Sequence, residues 1–361
     1  MSFLSFAIRS ATTLSLGAVL FAACGCQRSE PVQWEASEQV QKLPPELATQ
    51  VSAAVQAYSG TVLLPKMLTD AKSKSERDKF ARELTLRHGQ EVYMKRCVQC
   101  HGVSGDGNGP VANSLYPRPR DYRRGIFKFT STPYGGRPRR EDLIATLDRG
   151  IIGTSMPSFR LLPKKDIEAV VDYVLVLAQR GELEYQLASE AEASEELIDE
   201  DIPDYVQDVG NHWKEAAASL TQPLTPQPQL TPERVALGRE AFLTKGCSKC
   251  HGEDGRGHTK DNIGKDSWGY STRAADLTSG MLHGGQDPID IYRRIMNGIN
   301  GSPMPGFKSA LESEPETIWN LVGYVLSVSN RRREGTAVPA GLMKPYAEPA
   351  VAVETVEATA E

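Results

Sequence analysis

Two copies of Cys-x-x-Cys-His stand 150 residues apart, at Cys97-Val98-Gln99-Cys100-His101 and Cys247-Ser248-Lys249-Cys250-His251. This is the attachment signature of a c-type haem. Two thiols three positions apart on one helical turn reach the two vinyl groups of a single porphyrin and form thioethers. The next residue then sets its imidazole beneath the iron as the proximal ligand. One such pentapeptide would also suit a zinc fragment or a redox dithiol. Two of them, each followed at a similar distance by a candidate second ligand, argue for two covalently bound haem c groups. Cys97, Cys100, Cys247 and Cys250 are the expected tethers, and His101 and His251 the expected proximal ligands.

The chain repeats itself beyond these motifs, which argues for two copies of one domain. Asp142, Gly150, Gly153, Met156, Pro157 and Phe159 match Asp290, Gly298, Gly301, Met304, Pro305 and Phe307 at a constant offset of 148. Each block reads as a helix ended by glycine, followed by a loop that presents a methionine. Upstream, the stretches opening at Gly89 and Gly238 read as helices running into the haem motifs. Downstream, the stretches opening at Ile167 and Ile318 carry apolar residues at helical spacing and are expected to pack across the first helix of their own domain. Their aromatics read as core residues. Neither repeat shows clear strand alternation, so an all-α fold is expected.

The second axial ligand decides what such a site can do. Met156 lies 55 residues after His101, and Met304 lies 53 after His251. A thioether favours Fe(II), so His/Met coordination raises the reduction potential relative to His/His, and a fully ligated iron passes electrons without offering a substrate position. The repeated context assigns Met156 and Met304 as distal ligands, whereas Met67, Met94, Met281 and Met296 read as packing or surface residues. His88, His212 and His258 are weak rivals. His283, 32 residues after His251, is the serious one, and otherwise reads as an exposed loop residue.

Residues 1–23 contain no acid, one base and an apolar run at 11–23 that is too short to span a bilayer. They read as an export signal. The run ends Ala22-Ala23-Cys24 and resembles a bacterial lipobox, so Cys24 is a candidate for lipidation, with simple cleavage as the alternative because Phe21 is a less usual residue than Leu there. Export is consistent with haem attachment, since bacterial c-type haems are attached outside the cytoplasmic membrane. Cys26 has no assigned role, and a disulfide framework would be unusual in so long a chain with two spare cysteines.

The net charge of −5, with no basic run mixed with aromatics, argues against nucleic acid as a partner. Residues 182–208 hold eleven acids and no Lys or Arg. They read, with the Pro-rich stretch after them, as a linker at 189–228, with a helix expected near 211–220. Residues 115–165 hold twelve Lys or Arg against four acids. They read either as a patch steering an acidic redox partner or neutralising haem propionates, or as a solvated face loosely paired with the acidic run. Residues 24–79 read as a spacer from the membrane and 332–361 as a disordered tail.

With Gly102 and Gly252 following the histidines, Gly-rich loops at 105–109 and 255–257, and the two Met-Pro loops, the chain resembles class I cytochromes c in tandem dihaem form, over about residues 80–188 and 229–331. The resemblance implies a small helical fold wrapped around a mostly buried haem with one exposed edge, and a one-electron carrier. Similar modules occur in respiratory oxidase subunits and beside dehydrogenases. The expected function is therefore single-electron transfer between oxidase, dehydrogenase or reductase partners at the periplasmic face of a bacterial membrane. The alternative is a dihaem peroxidase, which also carries two such motifs but needs one iron with an open position. Nothing marks either repeat as that site.

Overall fold

The computed structural model describes residues 32–70, 75–260 and 264–333. The expected export signal, Cys24, Cys26 and the tail beyond 333 lie outside the described residues. Two short helices, α1 (Glu38–Lys42) and α2 (Pro45–Ser59), precede the first repeat, which comprises α3 (Glu76–Arg96), the single turn α4 (Val98–His101), α5 (Arg140–Arg149) and α6 (Lys164–Ser194). A connecting helix, α7 (Ile202–Ala218), leads to the second repeat: α8 (Pro232–Thr244), α9 (Cys247–His251), α10 (Pro288–Asn297), α11 (Lys308–Leu311) and α12 (Glu316–Arg333). Two two-residue strands, β1 (Gly264–Lys265) and β2 (Ser271–Thr272), pair antiparallel. The fold is all-α, as expected.

Each repeat is built on a helix crossing that one glycine permits. A Cβ on Gly89 of α3 would lie 2.0 Å from the Ala169 carbonyl oxygen of α6, and one on Gly238 of α8 would lie 1.9 Å from the Asn320 oxygen of α12. No residue with a side chain fits there without separating the helices. One turn further on, Tyr93 meets Tyr173 at 5.3 Å between ring centroids, and Phe242 meets Tyr324 at 4.9 Å. All four rings are buried, each pair at the centre of its own apolar cluster. The helices start where their caps dictate. Ser75 accepts the Asp78 amide and Thr231 the Arg234 amide, with Pro232 at the first position of α8.

The acidic run is not a linker. Most of it belongs to α6 and α7, and its first acids are buried: Glu182 and Glu184 are each 3% exposed. Glu182 accepts Arg137 Nε at 2.9 Å, Trp213 Nε1 at 3.0 Å and His212 Nδ1 at 3.1 Å. Glu184 takes Arg180 Nη2 at 2.7 Å and the Ser37 amide at 2.7 Å. A buried carboxylate needs such partners, and these come from segments distant in sequence, so local charge counting could not find them. Val209 and Trp213 of α7 are buried in the first core, so the expected helix near 211–220 is present but longer and starts earlier.

The segment expected as a membrane spacer is also folded over its described part. Val40, Val51 and Val55 are buried in the first core. Trp34 Nε1 donates to the Tyr173 hydroxyl at 3.3 Å, and the Glu35 amide to Ser104 Oγ at 2.7 Å. Residues from Trp34 onward cluster as one compact unit. Within it the second repeat is fastened to the first. Asn297 Nδ2 donates to the Thr132 carbonyl at 2.8 Å, the Gly135 amide donates to Asn300 Oδ1 at 2.8 Å, and Arg294 donates to the Thr130 carbonyl. Both asparagines are 6% exposed.

Candidate haem sites

Cys97 closes α3 and opens α4, so the first thiol, the second and the imidazole ride one turn. In the second repeat the same turn is α9, entered through Gly246. None of the four cysteines is in a disulfide. Burial pushes the Cys97 thiol up to about 12 and the Cys247 thiol up to about 11. A reactive cysteine depends on a lowered pKa, so neither Cys97 nor Cys247 is poised as a redox nucleophile. Among the described residues no group of three or more His, Cys, Asp or Glu is arranged to hold a metal ion alone.

The histidines are prepared as ligands. His101 Nδ1 donates to the Arg120 carbonyl oxygen at 3.1 Å and His251 Nδ1 to the Ala275 oxygen at 3.2 Å. That bond fixes the proton on Nδ1 and leaves the Nε2 lone pair for a metal. Burial lowers the pKa of both rings, that of His101 to about 4, so both are neutral at pH 7. The following glycine turns the chain back at φ 73° in Gly102 and 75° in Gly252. The Gly-rich loop then closes on the helix, with the Gly107 amide donating to the His101 oxygen at 3.0 Å and the Gly257 amide to the His251 oxygen at 2.7 Å.

The methionine loops are equally matched. α5 ends at Gly150 and α10 at Gly298, where a Cβ would fall 2.6 Å from a backbone nitrogen of the returning loop. The Ile151 amide donates to the Met156 oxygen and the Ile299 amide to the Met304 oxygen, each at 3.1 Å. Thr154 and Ser302, two residues before each methionine, accept its amide through their hydroxyls at 3.1 and 3.4 Å. Both methionines are half-buried. His88 pairs with Asp166 at 2.8 Å and His212 with Glu182, while His258 is exposed. His283 is not the exposed loop residue read from the sequence but is half-buried. Its ring abuts Gly153 in the methionine loop of the other repeat, and burial, then Lys128, lowers its pKa.

The basic stretch is mostly committed inside the molecule. Arg137 is held by Glu182, Arg140 by Asp172 at 2.6 Å and Arg123 by Asp121 at 2.9 Å. Of these pairs, Arg137–Glu182 is the one that joins the basic stretch to the acidic run, and its carboxylate is buried. Sequence reasoning missed the carbonyls of Arg120 and Ala275, which leave no side-chain signature because backbone does the work. It also missed Tyr122, which stacks on His101 at 4.8 Å between centroids and whose amide donates to the Gly105 oxygen at 2.7 Å.

Paired thiols outside any disulfide, a neutral imidazole with Nε2 available and a glycine turn beside it suit covalent haem in both repeats. The family model described as cytochrome c oxidase, cbb3-type, subunit III matches residues 84–174, and that described as cytochrome c matches residues 235–329. The chain belongs to the cytochromes c, as two domains in tandem. Two cytochrome c domains give two haems, and their role is electron transfer. Among solved structures, the tandem cytochrome resembles a chain of the reducing HAO-like protein complex of Kuenenia stuttgartiensis. The match has a TM-score of 0.51 at 30% identity and covers 67% of this chain and 95% of that one. No curated protein matches.

Proposed function

We propose that the chain is an exported dihaem electron carrier, lipid-anchored through Cys24 at the periplasmic face of a bacterial membrane and serving as the electron-transfer partner or subunit of an oxidoreductase complex. The observation that carries this reading is duplication of the whole ligand frame. In both repeats a paired-cysteine turn, an imidazole tied through Nδ1 to a backbone carbonyl, and a methionine loop closed by the same backbone bond recur together. Bound haem supplies the one-electron Fe(III)/Fe(II) couple.

In this reading the chain's own residues do the rest. Cys97 and Cys100, and Cys247 and Cys250, tether one haem each. His101 and His251 offer Nε2, held in orientation by their Nδ1 bonds. Met156 and Met304 offer thioether sulfur as distal ligands, leaving no open position for substrate. The buried aromatic pairs and helix crossings exclude water and resist change in ligand geometry as electrons come and go. The likeness to a chain of a reducing HAO-like complex supports a partner of oxidoreductase type. Among the described residues no helix is long and apolar enough to cross a membrane, so attachment in this proposal rests on Cys24.

The test uses the mature protein. Two haems per chain by pyridine haemochrome, and a reduced form that does not take up carbon monoxide, are expected. Fewer than two haems, or rapid uptake at one of them, would replace this reading with the peroxidase alternative or a monohaem protein. Cys24→Ala is expected to release the chain from the membrane fraction, and retention there would remove the lipid anchor.

A further inference from the structure

The contact between the two cytochrome domains contains one feature that fastening alone does not require. Arg120 of the first domain gives its carbonyl to His101, and its guanidinium lies 3.7 Å from the ring centroid of Trp268 in the second domain. Trp268 sits on the turn between β1 and β2 and packs against Gly301, where a Cβ would lie 2.5 Å from Trp268 Cζ3. The Ser267 amide donates to the Gly301 oxygen at 3.0 Å. Gly301 is three residues before Met304. A chain of direct contacts therefore runs from the proximal histidine of one site to the distal loop of the other.

The charges at this junction are unusual. Trp268 Nε1 is buried without a hydrogen-bond partner among the described residues. The Arg120 guanidinium is largely buried, Lys128 lies near it and Asp266 is the main acid nearby. A desolvated cation stacked on an indole is worth about 2 kcal/mol as a cation–π contact, which does not by itself repay removing the guanidinium from water. Arginine placed at such cost between two redox sites acts on both through a low-dielectric medium.

We propose that Arg120 and Trp268 form the junction through which the two haem domains communicate, so that the haems exchange electrons within one molecule and share the field of one cation. The inference rests on the two-haem reading above. In the exchange one electron leaves the ferrous iron of one domain and enters the ferric iron of the other, with no proton or co-reactant required. Arg120 and Trp268 are positioning residues, neither being an iron ligand. Any substitution of Arg120 keeps its carbonyl, and hence the bond to His101.

The experiment is flash photoreduction of the full chain by an excited ruthenium complex, over a range of protein concentrations, in the wild type, Trp268→Leu and Arg120→Met. Haem counting comes first: fewer than two in the wild type defeats the underlying reading and not this inference. With two haems present, the wild type is expected to show a concentration-independent equilibration phase, slowed at least tenfold in each variant. Trp268→Phe, which keeps a ring under the guanidinium, restores most of that rate. Spectroelectrochemical titration of Arg120→Met is expected to show both midpoint potentials lowered, because a nearby positive charge favours the reduced state. The proposal is overturned if wild-type haems equilibrate only by collision between molecules, if Trp268→Leu or Arg120→Met retains both haems and keeps a rate within twofold of wild type, or if Arg120→Met lowers one potential alone.

Discussion

His101 donates its Nδ1 proton to a carbonyl oxygen, and that single bond decides which nitrogen keeps a lone pair. The motif made the residue visible; the donor geometry leaves Nε2 for the ligand role proposed above. The methionines were legible for a different reason, because two loops of the same composition recur at one offset from two histidines. In each oxidised single variant, Met156→Ala or Met304→Ala, about half of the methionine-to-iron charge-transfer absorbance is expected to disappear, and the midpoint potential of that haem to fall as the soft ligand is lost. Full absorbance per haem in either variant would show that the assigned methionine is not a ligand. Glu182 was the least legible residue. It counted toward an acidic run read as a linker, yet it holds Arg137, Trp213 and His212 together at 3% exposure. Glu182→Ala strands a partly buried guanidinium, so a loss of roughly 3–5 kcal/mol in denaturant unfolding is expected; a loss below about 1 kcal/mol would mean that the cluster is dispensable.

At the scale of elements, each domain depends on one close helix crossing. Gly89 and Gly238 were recognised only as helix openings, since the sequence does not say what a helix will cross. Gly89→Ala is expected to cost about 1–3 kcal/mol, through a clash with backbone that no rotamer relieves, and Gly238→Ala the same in the second domain. Unfolding followed at each haem separately checks whether the damage stays within its own domain. The helical content of the repeats was readable because apolar residues recur at helical spacing. The described segment 34–70 and α7 were not readable as parts of the first core. Their apolar positions are interrupted by prolines, and the surface of α6 that they pack against lies outside either segment.

Across the whole molecule, the two domains are joined by side chains on the methionine side of α10 and the loop after it. Asn297 and Asn300 are nearly fully buried while bonding backbone groups of the first domain. The double variant Asn297→Ala, Asn300→Ala is expected to keep two haems and both charge-transfer bands. It should enlarge the radius of gyration in solution scattering and expose residues 219–231 to protease. An unchanged radius would show that the Arg120–Trp268 contact and the rest of the interface hold the domains unaided.

What the chain's sequence determined alone is the chemistry that is covalent or local: two attachment turns, two imidazoles beside them, two methionine loops at a fixed remove, and the helical period between. These depend on neighbours within a few positions, so spacing suffices to read them. The burial of the acidic run, the incorporation of the N-terminal helices and the seating of one cytochrome domain on the other belonged to the tertiary structure. Each is a contact between residues tens to more than a hundred positions apart. The sign of its energy depends on which partner removes a charge or an apolar face from water, and no local pattern records that partner.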